Sequence, residues 1–220
     1  MNSSYPLWDS PVRIIHWAIA LMIPASWWTA EEGYMEVHQY LGLGVLALVI
    51  TRLVWGLIGS PQARFNDFVR GPSAVLAYLK GSPATTPGHN PLGGWSVLLL
   101  WTLLIAQVVT GSVSTDDVLF DGPFRHAIDS SLADKLAELH ETLFNVLVAF
   151  VALHVLSVLF YEFRKDQRLL MPMIKGRSEG REGTGPARGW YWALIVVAVV
   201  AGLLWGAVEM APPPPASSYW

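Results

Sequence analysis

The chain has 220 residues, 53% of them hydrophobic and only 14% charged, against about a quarter charged in a water-soluble chain. With a mean hydropathy of +0.40 this composition excludes an ordinary soluble domain, and the formal net charge of -3 matters less than where the charges fall. Cysteine is absent, which excludes disulfides, thiolate metal sites, iron–sulfur clusters, covalently tethered haem and cysteine nucleophiles.

A hydrocarbon core of about 30 Å takes about 20 helical residues to cross. In chain order, apolar runs of that size are expected to span at 12–29, 37–58, 93–113, 138–162 and 190–209. The first begins after Asp9-Ser10-Pro11, a helix cap followed by proline in the first turn, which argues against reading it as a cleaved signal peptide despite the small residues at Pro24-Ala25-Ser26. Between the second and third runs, 59–92 is rich in Gly, Pro and Ser and holds a short amphipathic stretch at Ser73–Leu79, suited to the membrane interface. Residues 114–135 and 163–189 are further connectors, and Pro212–Pro215 stiffen the tail. Trp27, Trp28, Trp190, Tyr191 and Trp192 fall at predicted helix ends, as in an aromatic belt.

Of the 14 Lys and Arg, all but Arg125 and Lys135 fall on the side of the N-terminus, whereas 11 of the 17 acids, among them Glu36, Asp117 and Glu141, fall on the other. The positive-inside rule then puts the N-terminus on the cytoplasmic side and the C-terminus on the outer side, with an acidic outer face.

Four of the six His lie in or at the edge of the spans: His16, His38, His140 and His154. Ionisable groups at membrane depth are costly and call for a purpose. His140 and His154 are fourteen apart on one helix, which puts them on one face about 21 Å apart along the axis. By depth, His16 faces His154 on the inner side and His38 faces His140 on the outer side. With no Cys or carboxylate to complete a tetrahedral site, two facing imidazoles suit the axial positions of a haem iron better than zinc; zinc binding and a proton relay are the rival uses. Gly42, close after His38, leaves room for a macrocycle, and Arg13 and Arg52 are candidates for its propionates, with snorkelling to the surface as their alternative. His89 and His126 fall in connectors and are expected to be solvated.

An ordered set of motifs resembles the bacterial cytochrome b561 and nickel–iron hydrogenase b-type cytochrome subunit family over about 7–177. It comprises Trp8-Asp9-Ser10-Pro11-Val12-Arg13-Ile14-Ile15-His16-Trp17, His38 with Gly42, Arg52-Leu53-Val54-Trp55-Gly56, Gly88-His89-Asn90-Pro91-Leu92-Gly93, His140, His154 and Met171-Pro172-Met173-Ile174-Lys175-Gly176. The resemblance implies an all-α membrane protein. Residues 1–178 would form a four-helix bundle with two b haems, the inner on His16 and His154 and the outer on His38 and His140. Residues 179–220 would add a basic linker, a fifth transmembrane helix and a Pro-rich tail. It further implies electron transfer between the quinone pool and a periplasmic redox partner, a c-type cytochrome or an oxidoreductase such as a hydrogenase. The rival functions are a superoxide:quinone oxidoreductase, which the acidic outer face does not favour for an anionic substrate, and a haem-poor membrane anchor subunit. No nucleic-acid partner is expected, and self-association is left open.

Overall fold

The computed structural model describes residues 5–83, 86–116, 120–165, 167–177 and 180–215. Among these the regular structure is helical: α1 (Ser10–Glu31), α2 (Met35–Ile58), α3 (Phe65–Phe68), α4 (Pro72–Leu79), α5 (Pro91–Gly111), α6 (Ser130–Arg164), α7 (Leu170–Lys175) and α8 (Tyr191–Glu209). Asp117 and the expected domain boundary at 178/179 fall outside the described residues.

The long helices start where their caps dictate. The Asp9 carboxylate accepts from the Val12 N–H at 2.9 Å with Pro11 in the first turn, and the Asn90 side chain accepts from the Gly93 N–H at 2.7 Å with Pro91 at the helix start. Asp129 caps α6 through the amides of Ser131 and Leu132. Four helices, α2, α5, α6 and α8, are long and apolar enough to cross a membrane. At 22 residues α1 is also long enough, but Arg13, His16, Ser26, Thr29 and Glu31 dilute its apolar run. The chain is a multi-pass membrane protein, and its outward face suits lipid: Leu203 on α8 is 70% exposed and Leu21 on α1 equally so.

Helix α1 packs along α2, and α5 along α6, while α2 also touches α5 and α8. Their shared core, Ile15, Ile19, Val45, Val49, Leu103, Leu104 and Leu147, draws on α1, α2, α5 and α6. Leu147 lies midway between His140 and His154, so this apolar layer occupies the middle of the bundle. The end carrying the start of α1 is here termed the basic end, the opposite one the acidic end.

A second core closes the basic end: Leu7, Trp8, Val12, Trp55, Ala63 and Ala193. The second Asp9 oxygen accepts from the Trp55 indole N–H at 2.8 Å and from the Ser60 hydroxyl, tying the start of α1 to the end of α2. The connector into α8 is held there too, by a bridge between Tyr5 and Gly183 and by Gln62 donating to Thr184 at 2.7 Å. Helix α4 is joined to α6 by the hydroxyls of Tyr78 and Tyr161, 2.8 Å apart.

Candidate haem-binding site

Two histidine pairs face each other across the bundle. His16 of α1 and His154 of α6 have ring centroids 6.4 Å apart near the basic end, and His38 of α2 and His140 of α6 have theirs 6.1 Å apart near the acidic end. A metal–imidazole bond is about 2 Å and each ring centre stands about 1 Å behind its nitrogen, so two imidazoles on opposite sides of one metal have centroids about 6 Å apart. Both pairs have that spacing. Among the described residues no three or more of His, Cys, Asp and Glu gather to hold a metal ion, which leaves two-ligand sites and disfavours a tetrahedral zinc centre.

The pair at the acidic end is oriented from behind. The His38 Nδ1–H donates to the Ser26 carbonyl at 2.8 Å, with the Ser26 hydroxyl 3.1 Å away, and the His140 Nδ1–H donates to the Gln107 carbonyl, also at 2.8 Å. Donation from Nδ1 fixes the tautomer and leaves the lone pair on Nε2, the arrangement of a metal-ligating histidine. The Gln107 side-chain amide nitrogen lies 3.4 Å from His140 Nε2, and the side-chain oxygen Oε1 is buried without a partner. A Cβ at Gly111 would sit 2.6 Å from the His140 ring, so only glycine lets this ring lie against α5. Gly42 faces open space, with nothing within 4 Å of where its Cβ would be.

At the basic end His16 Nδ1 is buried without a partner and the His16 ring packs edge-on against Trp17. Arg52 is buried at 5% exposure, donates to the Ala63 carbonyl at 3.1 Å and stacks over Trp101 at 5.0 Å and Phe68 at 6.0 Å. Arg13 lies near the same end, donating to the Ile174 carbonyl at 2.6 Å and to the Ser10 hydroxyl at 3.3 Å; its Nε is buried and unpartnered.

His89 is not the solvated loop residue the sequence suggests. Its ring packs against Trp8 at 4.8 Å and Phe68 at 5.0 Å, with Nδ1 buried and unpartnered. Burial pushes it down to about 3, and the Arg52 guanidinium and the His154 and His16 imidazoles act in the same direction. His126 pairs with Asp121 at 2.9 Å, beside the Arg125–Asp134 pair at 2.7 Å. Sequence reasoning passed over Ser26 and Gln107; a glutamine inside an otherwise apolar span was the available signal for the second.

An all-helical membrane protein whose intramembrane histidines stand in facing pairs, with no thiolate, belongs to the class of membrane b-type cytochromes. The chain belongs to the prokaryotic cytochrome b561 family, whose pattern it matches over residues 7–176. This family binds b-type haem and works in electron transfer. No curated protein and no solved structure matches the chain.

Proposed function

We propose that the chain is a dihaem cytochrome b of the bacterial inner membrane that carries electrons between a periplasmic redox protein and membrane quinone. The observation that carries this reading is the pair of facing histidine couples, 6.4 Å and 6.1 Å between centroids, one near each end of the bundle. In it α1 joins α2, α5, α6 and α8 as a fifth crossing. The N-terminus is cytoplasmic, because the basic end carries 12 of the 14 Lys and Arg.

Bound haem supplies one-electron chemistry, while the protein supplies ligation, spacing and electrostatics. His16 with His154 and His38 with His140 would hold the two irons, and the Ser26 and Gln107 carbonyls hold the second pair in its binding tautomer. The 14 residues from His140 to His154 set a depth difference of about 21 Å, which divides the membrane crossing into shorter steps. Arg52 and Arg13 are the cations within the bundle that suit propionates. The acidic face, with Glu31, Glu36, Glu138 and Glu141 exposed, suits a cationic partner such as a basic c-type cytochrome rather than a small anion.

Mixing the purified protein with a short-chain quinol and a basic c-type cytochrome tests this reading. The haem spectrum should change to that of the reduced form with quinol and back to that of the oxidised form with the oxidised cytochrome, the second step slowing as salt rises. Haem that a quinol does not reduce and a quinone does not oxidise removes the quinone half, and a salt-independent second step removes the acidic docking face.

A further inference from the structure

Helix α4 lies at the basic end with one face turned to the bundle and the other left open. Tyr78 on its inner face meets Tyr161 of α6, hydroxyl to hydroxyl, and the chain just before the helix is held by the Trp95 indole of α5, which donates to the Arg70 carbonyl at 2.8 Å. Pro72, Val75, Leu76 and Leu79 recur at the i, i+3, i+4, i+7 spacing of a single helix face and, with Trp95, line an open apolar groove. Leu76 and Leu79 are 54% and 64% exposed, and Leu99, one turn after Trp95 on α5, is exposed as well and carries the apolar surface along that helix. Such a surface is unfavourable in water and well matched to an acyl chain.

Each end of the groove carries a cation. Arg70 stands two residues before Pro72 and Lys80 directly follows Leu79, with the eight residues of α4 setting about 12 Å along the axis between them. Arg164 and Lys165 stand exposed one turn beyond Tyr161, at the end of α6. None of these four joins an ion pair among the described residues. The described acids closest to them are Asp67 and Glu162. Glu162 accepts from the Leu169 and Leu170 amides at 2.7 Å and 3.0 Å, and Asp67, within electrostatic reach of Arg70, keeps Oδ2 buried without a partner.

We infer that the groove between α4 and α5 binds one anionic phospholipid of the leaflet at the basic end, its acyl chain on Leu76, Leu79 and Trp95 and its phosphate at the rim formed by Arg70 and Lys80. The apolar floor accepts the chain of any lipid, so the headgroup preference comes from the cations. A zwitterionic headgroup brings its own ammonium against them, whereas phosphatidylglycerol keeps its negative charge. A second copy of the chain is a poorer occupant, because grooves set face to face would bring four like charges together. A bound lipid would also hold α4 against the bundle. The inference does not depend on how many haems the chain carries.

The test is native mass spectrometry of the haem-loaded protein released from detergent, after exchange with equal amounts of phosphatidylglycerol and phosphatidylethanolamine bearing the same acyl chains. One phosphatidylglycerol should be retained in preference to phosphatidylethanolamine. Arg70→Gln and Lys80→Gln should each cut that preference about fivefold, the factor one cation contributes near an anionic surface. Leu76→Ser should lower retention of both lipids and leave the preference between them. Arg188→Gln, which removes a cation at the foot of α8 away from the groove, should change neither. The haem spectrum of each variant reports its folding, and Lys80→Gln alone suffices if Arg70→Gln fails to assemble. Equal retention of the two lipids, a dimer free of lipid, or a preference as sensitive to Arg188→Gln as to Lys80→Gln overturns the inference.

Discussion

His38 and His140 stand with ring centroids 6.1 Å apart and planes 89° apart, each held by an Nδ1–H bond to a carbonyl of a neighbouring helix. Neither helix alone could fix this arrangement. Ser26 on α1 aims the α2 histidine, and Gln107 on α5 aims the α6 histidine, so the site is a product of four-helix packing. Its spacing matches two imidazoles on one metal.

The first prediction follows from ligand chemistry. The reduced-minus-oxidised spectrum should be that of low-spin b haem with two imidazole ligands, and acid-acetone should extract all of it, since the chain has no Cys to tether it. Retained, covalently bound haem would contradict this.

Gly111→Ala should perturb one site alone. The new methyl would lie 2.6 Å from the His140 Cε1 and 2.9 Å from Nδ1, crowding the ring off the Gln107 carbonyl. Loss or a high-spin shift of about half the haem is expected, whereas Gly202→Ala on α8, which meets nothing within 4 Å, should change nothing. Equal behaviour of the two variants would show that the fit of this ring to α5 is unimportant.

Asp9→Ala should destabilise the fold without touching a histidine. It removes the α1 cap, worth about 1 kcal/mol, and strands the buried Trp55 indole N–H, worth about 1–3 kcal/mol. Thermal denaturation in detergent should show a loss of about 2–4 kcal/mol, with Asp9→Asn milder because the amide oxygen can keep the cap.

His89 predicts an acid response. Its folded pKa is lowered to about 3 from an ordinary 6.5, so the folded protein binds fewer protons than the unfolded chain. The stability it contributes is fully present above pH 6.5 and is lost as the pH falls from there toward about 3. Melting temperature against pH should therefore fall less steeply across that window in His89→Gln than in the unsubstituted protein; parallel curves would show that His89 does not titrate in a buried setting.

The helices α2, α5, α6 and α8, long and apolar enough to cross a membrane, were legible because apolar runs of that length have few other uses. Helix α6 starts at Ser130, well before the apolar run expected from 138, because hydropathy sees only the part suited to lipid whereas Asp129 caps a polar turn beyond it. Asp9 was legible as a cap, but its bonds to Trp55 and Ser60 join residues 46 and 51 positions away, beyond any local pattern. His89 was misread for a similar reason, since its Gly and Pro neighbours signal a loop while the aromatic cover comes from Trp8 and Phe68. The acceptors behind His38 and His140 are backbone carbonyls, which any residue supplies and no sequence pattern marks.

The pairing of the histidines is tested most directly by counting haem in two double variants. His16→Ala/His154→Ala strips both ligands from one site and should lose one haem, because the two changes fall on the same iron. His140→Ala/His154→Ala takes one ligand from each site and should lose both, or leave both high-spin. A folded His16→Ala/His154→Ala protein without any haem, or a His140→Ala/His154→Ala protein that keeps one low-spin haem, would contradict the assignment of the α6 histidines to two separate sites.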